Sequence, residues 1–215
     1  MDQQVQKDLV EKITHRYPED RIFAEENGLR SPISEGSVWV IDPIDGTNNF
    51  VTQKEDFAVM VAYFEDGIGQ FGLIYDVMRD HLFYGGGEFP VYRNEVELTP
   101  FVDQPLENLL IASNVGMLEK NDWGMADLGM DSLGIRVYGS AGISFSKILS
   151  GGILAYFSYI WPWDYAAAAI MGEQLGYTVL NLNGDKPNYQ SVEPIMMVPK
   201  VKLTEIQTYL KKGRS

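Results

Sequence analysis

The sequence predicts a mixed chain in which an α+β half is followed by an α/β half. Between residues 57 and 92, short apolar runs succeed one another across turn residues, the pattern of antiparallel hairpins. Beyond Pro100, strand-like runs alternate with helical ones, the pattern of helices layered on a sheet. With 215 residues, 45% of them hydrophobic and none of them cysteine, the chain can bury a core without disulfide staples.

Each element has its own signal. Asp2 to Arg16 reads as an amphipathic helix, with Val5, Leu9, Val10 and Ile13 on one stripe, stopped before Pro18. Arg21 to Ala24 reads as a short strand that delivers Glu25, Glu26, Asn27 and Gly28, and residues 29–37 as a loop. Val38 to Ile41 has the apolar run of a buried strand, which Pro43 is expected to end. Gly46 and Thr47 then open a short helix. Phe57 to Phe64 and Ile68 to Tyr75 pair across Glu65-Asp66-Gly67, and His81 to Tyr84 and Phe89 to Tyr92 flank Gly85-Gly86-Gly87. Strands are expected at 109–113, 134–138 and 153–157, with helices at 117–128, 141–149 and 165–175. The change of pattern divides the chain near 98–105 into domains 1–100 and 101–215. Asp185 reads as a turn residue.

Charge narrows the function classes. Lys and Arg number 17 and Asp and Glu 30, a net charge of −13 that repels nucleic-acid phosphates and anionic lipid. The longest apolar run, Ala166 to Met171, is too short to cross a bilayer. The N-terminus shows no basic region followed by an apolar stretch. The expectation is a soluble cytoplasmic protein that binds neither nucleic acid nor membrane. His15 and His81 are assigned to surface or packing, and Lys211-Lys212-Gly213-Arg214 to a short solvated basic tail.

Chemistry concentrates in the run from Trp39 to Phe50. An apolar strand delivers Asp42, and Asp45 follows on a rigid turn. Carboxylates that close repel unless a cation lies between them, and hard cations such as Mg²⁺ prefer oxygen ligands. The free amides of Gly46 and Thr47 would form an anion site beside it. Structural readings stand next to these: Asp45 as a helix cap, Asp42 as a turn former, Glu25 and Glu26 as solvated turn charges, Asp164 and Ser140 as N-caps, Thr47 as a helix start.

Ala24-Glu25-Glu26, the Asp42-Pro43-Ile44-Asp45-Gly46-Thr47 run and Trp163-Asp164, in that order and spacing, resemble the inositol monophosphatase family of magnesium-dependent, lithium-sensitive sugar phosphatases. The resemblance extends over nearly the whole chain, since the helix at 2–16 and the Gly139-Ser140-Ala141 turn also have counterparts. The central motif departs from the family pattern at Asn48, where Thr is common. The resemblance implies a sandwich of alternating α-β-α-β-α layers and a homodimer. It also implies one Mg²⁺ on Glu25, Asp42 and the Ile44 carbonyl, a second on Asp42, Asp45 and Asp164, and a weaker third near Glu25, with Mn²⁺ as a substitute. Thr47 and Asp2 match the pair that activates the attacking water, with Glu25 beside them in the catalytic set. Gly46 and Thr47 match the phosphate-holding amides, Gly139, Ser140 and Ala141 the contacts to the substrate's alcohol moiety, and Asp164 is counted among the substrate-binding residues as well as the metal ligands.

A phosphate monoester is nearly dianionic at neutral pH, its second pKa being about 6. Carboxylates alone would repel it, so cations must be bound first. The expected reaction is in-line attack of a metal-activated water on phosphorus, with no phospho-enzyme. The substrate is less defined. Inositol-specific members carry an acidic residue before the Trp-Asp motif, whereas Tyr156 to Pro162 contains no carboxylate and Ser158 stands nearest that position. Loss of a charged acceptor costs about 1.5–3 kcal/mol for a polyol that needs it. The aromatic residues there (Tyr156, Phe157, Tyr159, Trp161 and Trp163) suit a flat ring, or else belong to the core. The leading expectation is hydrolysis of a small phosphorylated metabolite of the inositol monophosphate type. An NADP(H) 2′-phosphatase, or another nucleotide or sugar phosphate phosphatase, is the alternative. A catalytically weak partner-binding relative is a third reading, because Met1 stands directly before Asp2 where family members carry a helical segment.

Overall fold

In the computed structural model, which describes residues 1–212, the apolar pattern resolves into two sheets and three layers of helix. The first sheet runs in sequence order through β1 (Arg21–Ala24), β2 (Ser37–Asp45), β3 (Ala58–Glu65), β4 (Ile68–Asp76), β5 (His81–Gly86), β6 (Phe89–Arg93) and β7 (Val96–Glu97). β1 lies parallel to β2, and every later neighbour is antiparallel. Helix α1 (Asp2–Arg16) packs Leu9, Val10 and Ile13 onto Ile22, Ala24 and Ile41 on the outer face. The second sheet is built from β8 (Leu110–Ser113), β9 (Gly134–Arg136), β10 (Ala155–Ile160), β11 (Tyr177–Asn181) and β12 (Glu193–Pro199), in the order β11-β12-β10-β8-β9.

Helices α5 (Ala141–Leu149) and α6 (Pro162–Gln174) fill the space between the sheets, in a core that runs from Phe23, Val40 and Met60 through Phe145 and Ala167 to Ile195 and Met197. Helices α3 (Val115–Glu119), α4 (Met125–Asp131) and α7 (Leu203–Lys212) cover the far face of the second sheet over Ile111, Phe157 and Met196. The layers therefore alternate α-β-α-β-α, as the resemblance implies. Helix α6 starts at Pro162, whose fixed φ and missing N–H suit a first helical position. Its Ala166-Ala167-Ala168 run lets it lie against the first sheet backbone to backbone. A Cβ on Gly72 would collide with the Ala167 main chain, and one on Gly86 would sit 2.7 Å from the Ile170 carbonyl.

Three expectations are corrected. Pro43 does not end its strand: β2 continues to Asp45, and the pairing slips by one residue where Asp42 faces Met60 and Asp45 faces Ala58. A proline has no N–H for the ladder, and the bulge is where a sheet tolerates one. The helix expected at 117–128 is broken, because Asn121, Trp123 and Gly124 all have positive φ between α3 and α4. The last third is richer than expected, since residues 177–212 supply β11, β12 and α7. Among the described residues no helix is long and apolar enough to cross a membrane. Of the basic tail, Gly213 and Arg214 lie outside the described residues.

Candidate active site

The bulge at Pro43 and Ile44 turns both neighbouring aspartates toward the junction of β2 with α5 and α6. Asp42 is 1% exposed, Asp45 7%, and one carboxylate oxygen from each lies within 4.8 Å of the other and of Asp164. Asp164 occupies the first turn of α6, where it accepts the Trp161 amide at 2.7 Å. It is thus the third residue of the helix and not its N-cap, which is Trp161. Nor does Asp45 cap the helix that follows it, α2 (Thr47–Thr52), whose cap is Gly46 in the left-handed region at φ 85. Asp45 instead receives the N-terminus of α5: the amides of Ala141 and Gly142 donate to it at 3.1 and 2.8 Å, and the Ser140 hydroxyl donates as well.

These partners divide the trio. Asp45 is well supplied with donors, whereas Oδ1 of Asp42 is buried with no hydrogen-bond partner among the described residues. A buried ionised oxygen left bare is costly, and three converging carboxylates are the donor set of a hard divalent cation. The residues present therefore fit the metal that the resemblance implies. Their protonation points the same way. Burial first, and then the charges of Asp45, Asp164 and Glu25, push the Asp42 carboxyl well above the usual range. Burial and Asp45 push Asp164 up to about 8, against the Trp161 amide. Burial also raises Asp45, opposed by Ser140, Gly142 and Ala141. Glu25 lies beside the trio on the turn after β1, and its carboxyl is raised by burial, by Glu26, and by the charges of Asp45 and Asp2.

The remaining predicted residues gather around this centre. Thr47 Oγ1 lies 3.2 Å from Asp2 Oδ2 and 3.0 Å from the Ile44 carbonyl, so its single proton is shared between two acceptors. Asp2 reaches Thr47 because α1 is docked by Gln6, which is 1% exposed and pairs both ways with the main chain of Glu26 at 2.8 and 2.9 Å. The Ser140 side chain is buried; besides donating to Asp45 it accepts the Ile143 amide at 3.1 Å as the cap of α5. Gly139, at φ 69, sits against Asn49. Of the aromatic run, Tyr156, Phe157 and Trp163 are buried, while Tyr159 and Trp161 are exposed. Ser158 is buried and accepts from Asn114 at 3.1 Å. His15 is exposed, and His81 packs edge-on to Phe83.

Three supporting residues escape the sequence reading. Gln6 sits on the same stripe as Leu9, Val10 and Ile13, and a polar residue on an apolar stripe is the signal that could have found it. Asn49 donates to the carbonyls of Asp56 at 2.9 Å and Tyr138 at 2.7 Å, tying α2 to the loop that leads into α5. Arg30 donates to the carbonyls of Ala24, Leu29 and Glu25, and its guanidinium lies over Trp163. No local pattern marks either of the last two.

The profile described as the inositol monophosphatase family matches residues 1–213. The inositol-1-monophosphatase of Bacillus subtilis strain 168 is 36% identical over 191 residues, spanning 86% of this chain and 72% of that protein. The solved inositol monophosphatase II of Staphylococcus aureus MSSA476 is 30% identical with a TM-score of 0.92, over 98% of this chain and 81% of that one. An IMPase/NADP phosphatase solved with Mg²⁺ and phosphate is 25% identical with a TM-score of 0.89, over 97% and 79%. On the match along its length and this shared fold, the chain belongs to the inositol monophosphatase family and by that membership is a phosphoric monoester hydrolase.

Proposed function

We propose that the protein is a Mg²⁺-dependent phosphatase of a small phosphate monoester of the inositol monophosphate type. The observation that carries this reading is the converging carboxylate trio, in which Asp42 and Asp45 are buried, with a bare Asp42 oxygen. Asp42, Asp45 and Asp164, with Glu25 and the Ile44 carbonyl, would hold two or three Mg²⁺ ions, or Mn²⁺ in their place. Bound there, such ions offset the charge of the phosphate, lower the pKa of water and stabilise a leaving alkoxide. The chain's own groups do the rest. When the Thr47 hydroxyl donates to Asp2, its lone pair is free to accept a proton of the attacking water. The Thr47 proton then passes to the Asp2 carboxylate as the water's proton replaces it. The amides of Gly46 and Thr47 would hold the phosphate, and Gly139, Ser140 and Ala141 would line the alcohol side, where Ser140 acts by fixing Asp45.

In this reading residues 1–100 carry most of the ligands and residues 101–215 carry Asp164 and the alcohol side. Inhibition by Li⁺, a homodimer and a cytoplasmic location belong to it as well. A second reading, an NADP(H) 2′-phosphatase, is favoured by the exposed Trp161 ring at the start of α6 and by the IMPase/NADP phosphatase neighbour. Phosphate release from inositol 1-phosphate, NADP, fructose 1,6-bisphosphate and 3′-phosphoadenosine 5′-phosphate, with Mg²⁺ and with EDTA, tests both. Release from one ester that EDTA abolishes is expected. Release that EDTA leaves unchanged would refute the metal reading, and silence across the panel would favour a partner-binding relative.

A further inference from the structure

Arg30 lies outside every motif of the site, yet it touches both sides of it. On one side its Nη1 donates to the carbonyls of Ala24 and of Leu29 (3.0 Å), and its Nη2 to the carbonyl of Glu25 at 3.3 Å. Main-chain bonds reinforce this fold-back, with the Ala24 amide on the Leu29 carbonyl at 3.0 Å and Arg30 bridging to Phe23. On the other side the guanidinium carbon stands 4.6 Å from the centre of the Trp163 ring and 5.9 Å from that of Trp161. The two indoles are stacked, 4.8 Å apart at 9°. Trp163 directly precedes Asp164 in the chain, and the Trp161 amide holds the Asp164 carboxylate.

The guanidinium suits this position because its edge and its face bind different things. The planar fork offers five N–H donors to carbonyl oxygens, while the flat face stacks on an indole. A lysine ammonium can do one or the other. Glu25 stands on the turn after β1 and Asp164 on the first turn of α6, so their separation depends on how two distant segments are held together. The Phe23 ring against Trp163, 5.6 Å apart, gives contact there but no directional bond.

We infer that Arg30 is a positioning residue for the metal centre, clamping the Glu25 turn to the start of α6 so that the ligand sets of Glu25 and of Asp164 keep their spacing on either side of the Asp42 they share. Groups that support metal ligands from behind typically cost 10–100-fold in metal affinity when removed. The clamp rests on the reading of Glu25 and Asp164 as ligands, and one titration separates the two. Mn²⁺ binding to the full chain is followed by electron paramagnetic resonance of the free ion for wild type, Arg30→Met and Arg30→Lys, with melting in EDTA measured alongside. The expected result is a fall of about 10–100-fold in Mn²⁺ affinity for Arg30→Met. Arg30→Lys should recover little of it, the affinity loss should persist at temperatures well below the EDTA melting point of each variant, and kcat should return at saturating metal. Wild-type affinity in Arg30→Met, full rescue by Arg30→Lys, or an affinity loss that only follows a lowered EDTA melting point would overturn the clamp. Absence of Mn²⁺ binding by the wild type would overturn the metal centre and the clamp with it.

Discussion

Asp42→Asn makes the sharpest test of the centre, because it should move stability and activity in opposite directions. Without metal, Asp42 faces two carboxylates whose nearest oxygens lie within 4.8 Å. Two full charges at that distance repel by about 3.5 kcal/mol at an effective dielectric of about 20. The raised pKa values of Asp42 and Asp164 mean that the trio escapes part of this by holding protons, so the variant recovers about 1–3 kcal/mol at neutral pH. An asparagine amide also offers a neighbouring carboxylate a donor without taking up a proton. For a chain of this length each kcal/mol raises the melting point by about 2–4 °C. Mg²⁺ at about a hundred times its dissociation constant stabilises the wild type by about 2.7 kcal/mol, a gain the variant should lose. Differential scanning fluorimetry should therefore show Asp42→Asn melting above wild type in EDTA and failing to respond to Mg²⁺, with phosphate release at the EDTA background. A variant that melts below wild type in EDTA would refute the reasoning and make Asp42 a turn former whose carboxylate stabilises the fold.

Other consequences can be measured directly. The native carboxyls of Asp42, Asp45 and Asp164 have pKa values above those of the unfolded chain, so between about pH 4 and the value near 8 for Asp164 the native state binds more protons. Metal-free stability must then fall as pH rises through that window, and a melting point in EDTA that is lower at pH 6 than at pH 8 would contradict it. Mg²⁺ binds the deprotonated ligands, so the melting shift it causes should grow over the same range. Ser140→Ala removes the cap of α5 and a donor to Asp45, and urea unfolding should show a loss of about 1–3 kcal/mol. Thr47→Ala should lower kcat by about 10²–10⁴ with KM little changed, as steady-state kinetics would show. Trp161→Ala should lower kcat/KM for NADP by about tenfold more than for inositol 1-phosphate if the second substrate reading holds, since ring stacking contributes about 0.5–1.5 kcal/mol.

What the sequence reveals and what it hides follow a physical line. Hairpins such as Phe57 to Tyr75 are legible because local turn chemistry and alternation determine them. Asp42 and Asp45 stand three residues apart and can be read as a cation site from residue type and spacing, whereas Asp164 read by itself is a helix cap and joins them only through the family resemblance. The proline in β2 misleads because the bulge that tolerates it is a property of the partner strand β3 as much as of the residue itself. The fracture between α3 and α4 rests on left-handed Asn121 and Trp123, and a tryptophan gives no warning of that conformation. Strand β12 is hidden for another reason: it pairs with β10 and β11, and the prolines at 194 and 199 disguise its apolar middle. Support residues are hardest of all. Ser140 is readable as a cap, but its bond to Asp45 joins positions far apart in the chain.

The bare glycines under α6 give the site an unexpected kind of fragility. Asp164 reaches Asp42 from a helix whose height above the first sheet is fixed by main-chain atoms at Gly72 and Gly86. Leucines and methionines elsewhere in the core can trade shapes with one another and leave that height alone. A single methyl group at Gly72 cannot be absorbed by a side-chain rotation, because what it meets is the Ala167 backbone. Such a change would lift the whole helix and carry its carboxylate away from the other two. A position with no charge and no chemistry of its own therefore acts as the focusing screw of the metal centre.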